Sequence, residues 1–401
     1  MSMSHAYSLD APMSRNASGT AWLPDSTPMF GYMHHAGRWM LMGHGNVFLR
    51  YTAVNANNDG LRGSEAKLDA PNWFMGMAQR RVGANGLLSF TGMFSLDPLT
   101  IGGAGYPLLF QTGETWEGEA LIDHQHPHDF LSALSVGYTH RLAKDLELTG
   151  YFGYPGEPAL GPPAFMHRIS SLSNPDAPLG HHWQDASHVT FGVGTLGLRY
   201  KWFRLEGSSF TGREPDEERF DFDAALFDSW SARLSIAPSA QWSMQASTAF
   251  IRSPEALDPA EDVRRTTASI AHVLPLGDAS LNNIAVWGLN DAGHGHREHS
   301  ALLESAHVTA RSNTYLRYEW IEKSTEELGL EEELGHGTIG TINTLTIGRS
   351  QRLVQAARTD LFLGAQVSGA LPGPLLEPFY GAMPISWAVY LRITPGRMRV
   401  R

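Results

Sequence analysis

The chain has 401 residues, with 30 basic and 41 acidic side chains, a formal charge of −11 and no cysteine. So acidic a balance lacks the basic footprint that nucleic-acid binding needs, so no nucleic-acid partner is expected. The missing cysteine excludes disulfides and thiolate metal sites, and is common in proteins that cross an oxidising periplasm.

Residues 1–38 read as a flexible periplasmic arm; with the start of the strand after them they hold MSMSH, PMF and GYMHHAGRWMLM. They show no basic segment followed by an apolar one, so no signal peptide is expected there. Thioether and imidazole ligands suit a soft ion such as Cu(I). Met3, His5, Met13, Met29, Met33, His34, His35, Met40 and Met42 are therefore candidates for copper handling, although Met40 and Met42 read better as part of a first strand.

No run of 18 apolar residues follows, so no transmembrane helix is expected. Instead, segments of about ten residues alternate with period two, bounded by Gly, Pro, Asn and Asp. SWSARLSIAP puts Trp230, Ala232, Leu234 and Ile236 opposite Ser231, Arg233 and Ser235. NTYLRYEWIE puts Leu316, Tyr318 and Trp320 opposite Arg317 and Glu319, and PISWAVYLRITP puts Trp387, Val389 and Leu391 opposite Tyr390 and Arg392. Sixteen strands are predicted, at 39–54, 71–83, 86–97, 131–142, 145–154, 187–200, 202–212, 227–237, 241–252, 264–274, 279–290, 299–310, 313–323, 337–349, 355–371 and 383–395. The last residues, 396–401, form a short basic tail.

The connections alternate in length. Those at 55–70, 98–130, 155–186, 213–226, 253–263, 291–298, 324–336 and 372–382 are long, and those between them are short. An outer-membrane barrel requires this parity, with an even strand number, short periplasmic turns and longer outer loops. Inside a bilayer every backbone polar group must be paired, and closing the sheet achieves this without an edge. One face of each strand meets lipid and the other the lumen, which accommodates a mean hydropathy of −0.23. Aromatics at strand ends (Trp39, Trp73, Tyr151, Phe152, Trp202, Phe203, Trp230, Trp242, Trp320, Trp387) suit interfacial girdles. The expected fold is an all-β transmembrane antiparallel barrel of 16 strands in the bacterial outer membrane, with 14 or 18 strands, or a soluble all-β domain, as alternatives. Arg233, Arg317, Glu319 and Arg392 are expected to face the lumen.

Eleven of the 18 histidines fall in or beside the long connections: His124, His126, His128, His167, His181, His182, His188, His294, His296, His299 and His336. Neutral imidazole is the commonest ligand for copper, zinc, nickel and iron. In LIDHQHPHDF an extended chain would separate His124, His126 and His128 by about 6.5–7 Å, too far to chelate without a turn at Pro127. A site would draw one or two ligands here and the rest from His167, His181, His182, Asp185 or His188, with Asp123 and Asp129 as ligands or orienting groups. The plainer alternative is that polar barrel loops carry histidine freely. In the fourth loop, Arg213, Glu214, Asp216, Glu217 and Arg219 read as a salt-bridged tip or a hard-cation site.

NWFMGMAQRR, QTGETWEGEALIDHQHPHDF, GEPALGPPAFMHR, GHHWQDASHVTFGVGTLGL, GREPDE and SPEALDP together resemble a family of largely uncharacterised bacterial proteins expected to be outer-membrane β-barrels. The resemblance covers about 38 to 395 and implies the same fold. More loosely, it is similar to the outer-membrane proteins of metal-resistance systems, often with a Met/His-rich leader. The leading expectation is a porin-like or transition-metal-associated barrel, with copper or zinc as the metal, outer-membrane lipid around it, and other envelope or metal-handling proteins as partners. One alternative is an interaction barrel whose loops form a lid without metal. Another is a membrane-embedded hydrolytic enzyme, although no constellation singles out a catalytic pair.

Overall fold

The computed structural model describes residues 7–293 and 296–398. Sixteen antiparallel strands close into a barrel: β1 (Trp39–Val54), β2 (Asn72–Val82), β3 (Gly86–Phe94), β4 (Leu131–Ala143), β5 (Leu146–Gly153), β6 (Val193–Tyr200), β7 (Phe203–Phe210), β8 (Ser229–Ser239), β9 (Trp242–Arg252), β10 (Asp262–Leu276), β11 (Ala279–Gly293), β12 (His296–Val308), β13 (Ser312–Ser324), β14 (Ile339–Ala356), β15 (Thr359–Pro372) and β16 (Ile385–Pro395). Each pairs with the next, and β16 closes on β1 from Val47↔Ile393 to Ala53↔Trp387. Two short accessory strands, Tyr32–Ala36 and Glu65–Asp69, extend the pairing of β1.

The alternation resolves as an inverted sheet. On β8, Ser231, Arg233 and Ser235 are buried, while Trp230 and Leu234 are 50% and 40% exposed. A water-facing sheet would hide the Trp and Leu, so the outward apolar belt is a lipid-facing surface. Trp202, Phe203, Trp230, Phe152 and Trp387 lie on it. Trp73 and Tyr151 do not. Trp73 packs on His167, and Tyr151 on Tyr7, both inside the barrel.

Two strand boundaries also differ from expectation. The sixth outer connection is not a long loop, because β11 runs to Gly293 and β12 resumes at His296. The turn expected at 350–354 is strand, and the chain reverses at Ala357 and Arg358, both at positive φ. Neither residue is a usual occupant of that conformation, which hides the turn from a composition-based reading.

The lumen is filled by the chain itself. The segment read as a flexible arm runs inside the barrel from Tyr7. The Thr139 hydroxyl donates to Tyr7 O, Leu9 N donates to Glu147 Oε1, and Arg204 and Arg233 reach Thr20. Gly137 on β4 makes room, since a Cβ there would lie 2.3 Å from the Tyr7 ring. The third outer loop, L3 (154–192), follows a second inward course. Its backbone is held by Ser208, Ser247, Asn46, Arg392, Tyr390 and Glu319 from strands all round the wall. The second loop, L2 (95–130), packs Leu109 and Phe110 with Trp183, Leu328, Leu376 and Tyr380 into an apolar core near the outer mouth. Buried charges would be costly alone, and several come paired: Arg50 with Asp69, Arg233 with Glu206, and Arg317 and Arg168 with Glu304.

Candidate functional site

L2 and L3 meet inside the outer mouth, and there the histidines converge. One ring nitrogen each from His126, His181 and His182 lies within 4.8 Å of the others, and all three residues are buried. His181 and His182 stand on the short helix His181–Gln184, and His126 reaches them from the end of L2. Gly113 permits the approach. It has a φ of +106°, and a Cβ there would lie 2.6 Å from the His182 ring.

His181 and His182 are each anchored at Nδ1, whereas His126 is engaged at both nitrogens, its Nδ1 lying 3.0 Å from Pro127 O. His181 Nδ1 is 2.5 Å from Asp185 Oδ1, and His126 Nε2 is 3.2 Å from Glu114 Oε1. His182 Nδ1 is 3.5 Å from Glu214 Oε2, on the fourth loop L4 (211–228). His128 and His188 form a second rank with rings 5.4 Å apart, their Nδ1 atoms facing Asp97 Oδ2 and Asp185 O. The Nε2 atoms of His128, His182 and His188 are buried without a hydrogen-bond partner among the described residues. Nδ1 held by a carboxylate or carbonyl, with Nε2 left free, is the arrangement that orients metal-ligating histidines.

Burial drives His126 and His181 below the usual histidine pKa, the latter against the pull of Asp185. Burial, with His181 and His128, takes His188 down to about 3. These rings are neutral, as ligands must be. His182 goes the other way: burial lowers it, but the negative charges of Glu214 and Glu114 raise it. Burial also opposes ionisation of Asp185, yet His181 and Arg168 hold it at about 2.

The remaining candidates lie elsewhere. His124 pairs with Glu65, 3.0 Å away. Burial raises Asp129 to about 7 against the pull of Arg219, whose guanidinium stands 3.6 Å away. His167 faces His44 and Trp73 deeper in the lumen. His296 lines the outer mouth, His299 points outward beside Trp287, and His336 is exposed. Met3, His5 and His294 lie outside the described residues. Met13 and Met40 are buried, while His34 and His35 are exposed on the accessory strand. Arg233, Arg317, Glu319 and Arg392 are buried on the inner face, bonded to Glu206, Glu304, Leu179 N and Leu172 O. On L4, Glu217 accepts backbone N–H groups of residues 117 and 118.

Sequence reasoning passed over Glu114 and read Glu214 in a salt-bridged tip or hard-cation site of its own loop, yet both lie within ligand reach of His182. Both also line a cavity of about 870 Å³ at the mouth. Glu255, Glu298, Glu326 and Glu327 line it too, beside Arg213 and His296. Carboxylates of one sign in a walled cleft concentrate cations.

A closed sixteen-stranded barrel with an apolar belt and a polar, filled interior is a bacterial outer-membrane β-barrel. Solved structures bear out that fold. OmpF of Salmonella typhi, in complex with daunomycin, is similar over 90% of this chain and 100% of its own, with a TM-score of 0.55 and 7% identity. A loop L8 deletion mutant of OmpT from Vibrio cholerae is similar over 89% and 99%, with a TM-score of 0.51 and 10% identity. No protein-family model and no curated protein matches the chain.

Proposed function

We propose that this outer-membrane barrel binds a divalent transition-metal ion, zinc or copper, at the L2–L3 histidine centre. The carrying observation is the convergence of His126, His181 and His182, two of them braced at Nδ1 by Asp185 and Glu214. Burying a cluster of imidazoles with unpartnered nitrogens costs stability unless a ligand satisfies them. The acidic mouth supports the same reading: it attracts cations from outside, and Glu114 and Glu214 belong to both the mouth and the centre. A lid made only of packed loops gives no reason for the Nε2 of His182, and those of its neighbours His128 and His188, to lack partners.

Protein folded in detergent should retain zinc through gel filtration by elemental analysis, and the double substitution His126→Ala and His182→Ala should abolish retention. Unchanged metal content in that variant would remove these ligands from consideration.

A further inference from the structure

The strands that open the barrel carry thioethers on their inner face. His44 is opposed to Met75, Met42 to Met77, and Met75 to Met93. Directly opposed residues hold their Cβ atoms about 4.5–5.5 Å apart. His44 Nε2 lies 3.0 Å from Met75 Sδ. L3 lays His167 over this wall, its ring 5.7 Å from that of His44 and 4.8 Å from that of Trp73. Neither ring nitrogen of His167 makes a hydrogen bond among the described residues.

A cavity of about 70 Å³ is lined by Met42, His44, Met77, Met166, His167 and Arg168; Met77 and His167 also line an adjoining cavity of about 20 Å³, where Met75 and Glu157 join them. A single water needs about 10–15 Å³, so an ion has room. Methionine is also an ordinary filler of irregular gaps, but filling a gap does not call for two imidazoles among the sulfurs. Thioether with imidazole selects a soft ion of low charge.

We propose that His44, Met75, Met77 and His167 form a second metal site, which takes Cu(I). Its ligands are distinct from those of the L2–L3 centre, and it stands whether or not that centre binds metal. The two clusters are neighbours. His188 shares a small cavity with Met75, Met93 and His167, and its ring is 5.1 Å from that of His181.

The test titrates detergent-folded protein with Cu(I), under reducing conditions and against a chromophoric chelator, with Ag(I) as a redox-inert second probe. Met75→Leu with Met77→Leu nearly conserves volume, and heat-modifiable gel migration checks that the variant is folded. The expected result is a loss of Cu(I) and Ag(I) affinity of about 10-fold or more, with zinc binding the same as in the parent. X-ray absorption of the Cu(I)-loaded parent should show sulfur neighbours. Unchanged Cu(I) affinity in this variant and in His44→Ala overturns the proposal, as does a copper environment without sulfur. Joint loss of zinc and Cu(I) also overturns it, because the clusters would then be one site.

Discussion

His181 Nδ1 lies 2.5 Å from a carboxylate oxygen of Asp185, four residues along the chain, and both side chains are almost fully buried. This contact commits Nδ1 and leaves Nε2 as the atom that can meet a metal. Asp185 also holds Arg168, which in turn pairs with Glu304 on β12. The orientation of one imidazole is therefore tied to the barrel wall.

Asp185→Asn should lower zinc affinity about 10–100-fold, the usual cost of losing a group that orients a ligand. Competitive titration against a fluorescent zinc chelator measures it. An affinity equal to that of the parent would mean that His181 is not a ligand or does not need bracing.

Conductance reports the filled lumen. Arg204 and Arg233 hold the backbone and side chain of Thr20, while Asn46 and Arg392 hold Leu172 O. In planar bilayers the parent should pass little current. Deleting residues 8–27 should raise single-channel conductance by opening the inner half of the lumen. Equal conductance in the two proteins would show that this segment does not set the pore.

Acid should loosen L3 around His188. Burial is the largest cause lowering His167, His181 and His188 below the ordinary value of 6.5. Such a base is neutral in both states above 6.5. Below 6.5 the released loop takes up protons that the packed loop refuses, so stability falls as pH falls. For His188 the loss runs from 6.5 down to about 3. Glu157, raised by burial to about 8, and His182 work in the opposite direction elsewhere in L3, so the effect is local: hydrogen exchange around His188 should rise from pH 7 to pH 5 while exchange in the strands stays slow. Exchange around His188 that does not change with pH would contradict its burial as a neutral base.

The lipid belt has its own test. Leu196, near the middle of β6, is 67% exposed on the outer face. Leu196→Arg should cost about 2–4 kcal/mol if it sits near the bilayer midplane. Denaturant unfolding in lipid vesicles measures this. A cost near zero would place Leu196 at an interface instead.

Much of the barrel is legible in the chain, because a two-sided strand writes a period-two pattern that needs no knowledge of its partners. Trp230 and Arg233 already declare opposite faces, and loop parity tells which ends are outer. Where local pattern and packing part, the reading slips. Trp73 and Tyr151 sit at strand ends like girdle aromatics, but the residues they meet, His167 and Tyr7, come from segments that fold back into the lumen. Loop six was misjudged because Gly293 and the polar residues around it resemble loop, whereas β11 and β12 keep pairing there through Asp291↔Arg297 and Gly293↔His296.

The site was half visible. L2 and L3 histidines could be named, and their spacing ruled out a local chelate in HQHPH, but nothing local separates His126 from His124, or His182 from His167. Alternation by itself determined which side chains share a face, since that follows from one residue and its near neighbours, and loop parity added the barrel of about sixteen strands and its membrane placement. Only the closed barrel decided that the N-terminal segment and L3 enter the lumen, that Glu114 and Glu214 meet His182, and that His44 faces Met75. Those are contacts between residues far apart in the chain, created when β16 pairs with β1 and the enclosed space must be filled.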